Sequence, residues 1–214
     1  MPRGPVIGEE RRCGRPRSVS DGQREIVLVR HGETEWSRTG RHTGMTDIPL
    51  SPHGREEAEA VGAMLRGRQF AQVLTSPLTR AVDTCRLAGF GASALRQPDL
   101  AEWDYGAYEG LTTAEIRATR PGWTLWREGV PGGETIDQVG ARADGVIEVL
   151  RRATGPTAVF SHGHFLRVLA ARWLGLAPAD GRLFALDPAS ISTIGYEHEA
   201  AVIRLWNEPA PAPR

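Results

Sequence analysis

The run Ile26-Val27-Leu28-Val29-Arg30-His31-Gly32-Glu33-Thr34 decides the fold. Its four apolar residues read as a strand, and the arginine, histidine and glycine that end it place a cation and an imidazole where a glycine lets a ligand approach the main chain. Two later segments repeat the arrangement. Val73-Leu74-Thr75 leads into Ser76-Pro77-Leu78-Thr79-Arg80-Ala81, and Thr157-Ala158-Val159-Phe160 leads into Ser161-His162-Gly163-His164. Three strand ends thus carry two arginines and three histidines, which suggests an anion site with a nucleophile.

Helical patterns lie between these strands. Ser51 and Pro52 give an N-cap and a first-turn proline, and Ala58, Val61, Met64 and Leu65 then recur at helical spacing, which predicts a helix over 52–66. Ser76 and Pro77 repeat the start signal before Leu78, Ala81, Val82 and Cys85, so Arg80 projects from a first turn whose dipole favours an anion. Gly132 and Gly133 precede a helix over 135–152 with Ile136, Val139, Ala143, Val146, Ile147 and Leu150 as its buried stripe. A strand over 157–161 feeds a helix over 163–173, and segments 190–196 and 201–206 read as a closing hairpin. The alternation predicts an α/β fold, a three-layer sandwich with a largely parallel central sheet flanked by helices, with ligands beyond the carboxyl ends of the strands.

Composition bounds the rest. The chain has 214 residues and 40% hydrophobic content, enough for one domain, expected over 23–207. Residues 1–22 are rich in Arg, Gly, Pro and Ser and read as a flexible extension, unless translation starts later; 208–214, with three prolines, reads as a flexible tail. A formal net charge of zero draws the protein toward neither nucleic acid nor membrane. No run reaches the length of a membrane span, no signal peptide is evident, and Cys13 and Cys85 support neither a disulfide framework nor a thiolate metal site. These features predict a cytoplasmic protein; a homodimer is compatible with the sequence, which does not fix the oligomeric state.

All 26 basic residues are arginine, as expected of a chain biased toward Ala, Gly, Pro and Arg. Without lysine there is no Schiff base and no P-loop cation, so a bound phosphate falls to arginine, whose planar fork matches its oxygens. Phosphoryl transfer from a monoester needs a nucleophile, neutralisation of the phosphoryl oxygens and a proton for the leaving oxygen. Histidine can supply the first without a metal or cofactor, forming a phosphohistidine. A zinc site from His31, His162 and His164 is the competing reading, but the neighbouring arginines repel a dication.

Taken together, Arg30-His31-Gly32-Glu33-Thr34, Ser76-Pro77-Leu78 with Arg80-Ala81, and Ser161-His162-Gly163 resemble the histidine phosphatase superfamily, also called phosphoglycerate-mutase-like, over about 25–206. The resemblance implies His31 as nucleophile, Arg30, Arg80 and a protonated His162 as the phosphate pocket, and Glu102 as proton donor, with Asp104 as the rival donor. Ser37 stands where the family often has asparagine, and its hydroxyl can still donate to phosphate. The stretches Trp36-Ser37 and Gly40-Arg41-His42-Thr43-Gly44 resemble the branch of broad acid phosphatases and sugar bisphosphatases, and 101–113 looks especially like a bacterial acid phosphatase. The implied substrate-binding set is Ser37, Thr43, Gly44, Gly163 and His164.

Arg41, His42, His164 and Arg167 are candidates for a second anchoring group. Trp103, Tyr105, Tyr108, Trp123 and Trp126 divide between core and the rim of a substrate mouth. Glu134 is expected either to order the pocket arginines or simply to start a helix. Mutases of the superfamily carry a long insertion before the second histidine motif; the short interval here favours hydrolysis of a small phosphate ester. A phosphoglycerate mutase-type isomerase and a noncatalytic binding protein on the same fold are the alternatives.

Overall fold

The structure is a computed structural model that describes residues 25–211. The expected extension over 1–22 lies outside the described residues, as does the end of the expected tail. Strand β1 (Ile26–Arg30) leads through the short helix α1 (Glu35–Arg38) to α2 (Pro52–Met64), β2 (Gln72–Thr75), α3 (Thr79–Leu87) and β3 (Ala94–Arg96). Helices α4 (Thr113–Thr119), α5 (Leu125–Glu128) and α6 (Ile136–Arg152) follow, then β4 (Thr157–Ser161), α7 (Gly163–Trp173), β5 (Ser190–Glu197) and β6 (Ala200–Pro209).

The sheet order is β3-β2-β4-β1-β5-β6. Strands β1 to β4 run parallel, while β5 is antiparallel to β1 and to β6. Side chains alternate across a strand, so β1 feeds two cores. Ile26 and Leu28 pack with Val139, Val146, Leu166 and Leu169 of α6 and α7, whereas Val27 and Val29 pack with Val61 and Cys85 of α2 and α3. These are the outer layers of the predicted sandwich. Burial pushes the Cys85 thiol up to about 12, which leaves it unreactive.

Two expectations shift. Strand β6 runs through Pro209, which pairs with Ser190, so the sheet takes in two residues assigned to the tail. Helix α3 starts at Thr79 with Leu78 as an N-cap that makes no side-chain bond; Ser76, expected to cap it, is used elsewhere.

Candidate active site

The sheet ladder carries the three motifs to one edge. His31 N–H donates to Ser161 O at 3.0 Å and Ser76 N–H to Phe160 O at 2.9 Å, so both residues continue the pairing of β1 and β2 with β4. Gly32 is obligatory for this arrangement: a Cβ there would lie 2.3 Å from Gly54 O at the start of α2. That close approach locks the His31 segment against the helix.

A cavity of about 370 Å3 opens over the edge, lined at its inner end by Arg30, His31, Ser37, Thr43, Glu102 and Gly163. His31 Nδ1 lies 2.7 Å from Gly32 O. A carbonyl only accepts, so Nδ1 carries the proton and the Nε2 lone pair is left for chemistry. Burial, with Arg80 and then Arg30 adding like charge, holds the His31 pKa well below the usual histidine range. That shift favours the neutral ring.

Arg30 donates through Nη1 to Leu186 O, and its Nε is the one buried side-chain nitrogen or oxygen without a hydrogen-bond partner among the described residues. Gly163 makes room for it, since a Cβ there would come within 3.2 Å of the guanidinium. An unmet N–H beside a neutral imidazole in a cavity is a receptor for an anion.

Arg80 and His162 stand behind this wall and do not line the cavity. Fully buried Arg80 donates Nε to His162 Nδ1 at 3.1 Å, Nη1 to Thr46 O at 3.0 Å, and Nη2 to Thr43 O and Gly44 O at 3.1 and 2.8 Å. It thereby fixes the loop that carries Thr43. His162 Nδ1 accepts from Arg80, so the ring proton sits on Nε2, which donates to Ser76 Oγ at 2.7 Å. The expected protonated His162 is thus corrected: burial, then Arg80, His31 and Arg30, push its pKa well below 6.5. Its ring lies 5.1 Å from that of His31 and backs the imidazole.

Glu102 is buried and faces the first turn of α7. Its Oε1 accepts from Trp103 N at 3.0 Å and Phe165 N at 2.8 Å, and its Oε2 accepts from His164 N at 3.0 Å. The carboxyl group is thus seated on the helix N-terminus, where otherwise unpaired backbone N–H groups hold both of its oxygens. Asp104 lies outside the cavity, accepting from Gly106 N at 2.9 Å. The Ser37 hydroxyl lines the cavity but donates to Thr34 O at 3.0 Å in the capping box of α1, and Gly44 is a packing position where a Cβ would meet Glu109 and Trp103.

An aromatic end of the cavity is walled by Tyr105, Trp123 and Trp126; Tyr105 and Trp123 are also members, with Trp103 and Tyr108, of the buried core. His164 Nδ1 lies 2.6 Å from the Tyr105 hydroxyl, and its ring is stacked with that of His42 at 6.3 Å. Three arginines face this end. Arg167 donates Nε to Gly181 O at 3.1 Å and lies 4.7 Å from the Trp126 ring; Arg117 donates Nε to Trp123 O at 2.8 Å; Arg41 donates to Gly110 O at 2.5 Å. Among the described residues, Glu102 is the only acidic residue in the lining. Arg117 and Ser76 went unnoticed as site residues, one because an arginine on a short helix carries no signal, the other because Ser-Pro reads as a cap. Glu134 pairs with Arg142 at 2.8 Å rather than with Arg30 or Arg80.

His31, His42, His162 and His164 all have pKa values lowered chiefly by burial. The unfolded chain protonates each near pH 6.5 and the folded chain only at lower pH, so stability is present above that value and lost as pH falls below it. Each group withdraws up to about 1.4 kcal/mol per pH unit. Thermal midpoints should therefore be level above pH 7 and fall steeply between pH 6.5 and 5. A level midpoint in that window would show the histidines protonated in the folded state.

A neutral buried imidazole, an unmet guanidinium N–H and a carboxyl group, gathered beyond the carboxyl edge of a parallel sheet, define an enzyme of phosphate esters. The family model of the histidine phosphatase superfamily (branch 1) matches residues 26–209. An acid phosphatase of Mycobacterium tuberculosis is 43% identical over 193 residues, covering 87% of this chain and 95% of that protein. The sedoheptulose 1,7-bisphosphatase of Saccharomyces cerevisiae is 37% identical over 182 residues, covering 70% and 67%. A solved structure of a Mycobacterium tuberculosis open reading frame product superposes with a TM-score of 0.83 at 40% identity, covering 87% of this chain and 98% of that one. The chain belongs to the histidine phosphatase superfamily, branch 1, and is a phosphoric monoester hydrolase. Among the described residues, no helix is long and apolar enough to cross a membrane.

Proposed function

We propose that this protein is a phosphomonoesterase of small phosphorylated metabolites, sugar phosphates foremost, acting through a phosphohistidine on His31. The observation that carries this reading is the pairing of an unprotonated His31 Nε2 with the unmet Arg30 Nε in one cavity. His31 Nε2 attacks phosphorus as the ester P–O bond breaks, and the leaving oxygen takes a proton from Glu102. Glu102, now a carboxylate, takes a proton from water as the water oxygen attacks phosphorus and the P–Nε2 bond breaks, returning the electron pair to His31. Phosphate leaves and both residues return to their starting states.

Arg30 binds the phosphoryl oxygens directly. Arg80 acts from behind His31, where its charge already depresses the imidazole pKa and equally favours a phosphoryl dianion. His162 holds the His31 ring in place. Ser37 and Thr43 line the cavity with His31, and Gly163 admits Arg30. The outer aromatic walls suit the face of a sugar, and Arg41, Arg117 and Arg167 suit a second anionic group on it.

A panel of phosphate esters assayed in EDTA tests this reading. Inorganic phosphate should be released from sugar phosphates, and 3-phosphoglycerate should be hydrolysed far faster than it is isomerised. Arg167→Met should raise KM roughly tenfold for esters carrying a second anionic group and leave simple aryl phosphates little changed. Efficient production of 2-phosphoglycerate would replace the hydrolase by the isomerase. No phosphate release from any ester would favour a binding protein.

A further inference from the structure

Glu102 sits on a segment with almost no regular structure of its own, between a single turn of 3-10 helix over 98–100 and another over 106–108. Its side chain is held by α7, yet its main chain is held from the opposite side by one residue of α6. Arg142 Nη1 donates to Asp99 O at 2.7 Å and Ala101 O at 2.9 Å, and Nη2 donates to Glu102 O at 3.2 Å. Nε and Nη2 also donate to the two oxygens of Glu134, each at 2.8 Å. Every nitrogen of the guanidinium is used, and none of it reaches the cavity.

Glu134 completes the brace. Its carboxylate accepts from Asp104 N at 3.0 Å, its own N–H donates to Asp104 O at 3.0 Å, and its carbonyl accepts from Trp103 Nε1 at 2.8 Å. The guanidinium of Arg142 also lies 4.7 Å from the ring of Phe165, the residue whose N–H holds Glu102 Oε1. Arg142 therefore touches both the main chain that carries Glu102 and the helical turn that receives its carboxylate. Its charge is paired with Glu134, and its field is the last of the charges that lower the His162 pKa; toward Glu102 it acts through its hydrogen bonds.

We propose that Arg142, braced by Glu134, is a positioning residue for Glu102, setting the carboxyl group where it can pass a proton to a leaving oxygen bound beside His31. The proposal rests on the reading of Glu102 as proton donor. In the phosphorylation step a misplaced acid harms only esters that need it, because an aryloxide leaves without help and an alkoxide does not; hydrolysis of the phosphohistidine is common to both. A residue that merely supports the fold would affect both esters alike.

The test compares an alkyl phosphate with p-nitrophenyl phosphate in the full-length protein. Arg142→Met should lower the single-turnover rate of phosphoenzyme formation on the alkyl ester by about 30-fold and on the aryl ester by less than about threefold, with Arg142→Lys intermediate. Glu134→Gln, which leaves Arg142 on the carbonyls, should show the same selectivity more weakly and stands in should Arg142→Met not fold. Placed in a Glu102→Gln background, Arg142→Met should add no further selectivity. Equal losses on both esters, or selectivity that persists without Glu102, would overturn the positioning role while leaving Glu102 as donor. Glu102→Gln losing equally on both esters would remove the donor and the positioning role together.

Discussion

His31→Ala should abolish turnover of every ester, by roughly 10,000-fold or more, because loss of the nucleophile removes the covalent route altogether. Rapid quenching of the unaltered protein with labelled substrate should trap a phosphoenzyme that is acid-labile and base-stable, and the variant should trap none. The structure states which nitrogen carries the phosphoryl group. Nδ1 is committed to Gly32 O, so the adduct should be the Nε2 isomer, distinguishable by phosphorus NMR of the denatured adduct. Label on Ser37 or Ser76, both close to the site, would transfer the nucleophile to a hydroxyl.

The same variant separates chemistry from binding. Arg30 and Arg80 remain in His31→Ala, so inorganic phosphate should still bind, while the histidine that costs stability below pH 6.5 is gone. Its thermal midpoint should fall less steeply with acid than that of the unaltered protein. A variant that neither binds phosphate nor melts cooperatively would show instead that His31 holds the edge of the sheet together.

How much of this was legible before the structure differs from residue to residue, and the differences have physical causes. The strand ends were legible because apolar runs followed by glycine and imidazole are local patterns, and the alternation of β1 between two cores follows from its period. That Arg30 and His31 would face one cavity with Glu102 follows from parallel strands sharing a carboxyl edge. The partners of Arg80 were not legible. Its two terminal nitrogens go to carbonyls of a loop 34 to 37 residues earlier in the chain, an outcome of tertiary packing that spacing does not encode.

Ser76 was misread for a related reason: the cap signal is local, but the hydroxyl meets a stronger claim from His162 across the sheet edge. The charge state of His162 had been set by its expected place in the phosphate pocket and not by its neighbours; a ring with an arginine on one nitrogen and a hydroxyl on the other needs only one proton. Arg142 did leave a trace. It falls on the flank of the stripe Val139, Ala143 and Val146, where an arginine on a packed helix face signals a buried partner.

Glu102→Gln should produce the second large effect, and its size should depend on the leaving group. An alkoxide is too basic to depart unprotonated, so loss of the acid should lower kcat on sugar and alkyl phosphates by about 100-fold to 10,000-fold. On p-nitrophenyl phosphate the first step needs no proton, and the loss should stay within about tenfold unless hydrolysis of the phosphohistidine becomes limiting. Because Glu102 also takes the proton from the attacking water, the aryl ester should then show a burst of nitrophenol followed by a slow steady rate, with phosphoenzyme accumulating. The substitution carries a structural cost that can be seen in advance: the carboxylate accepts from Trp103, His164 and Phe165 N–H groups, and a glutamine amide nitrogen would oppose one of these donors. A retained burst is thus the proof that the pocket is intact. Equal losses on both ester classes with no burst would remove Glu102 from the acid role, and a larger selective loss in Asp104→Asn would move that role to Asp104, against its place outside the cavity.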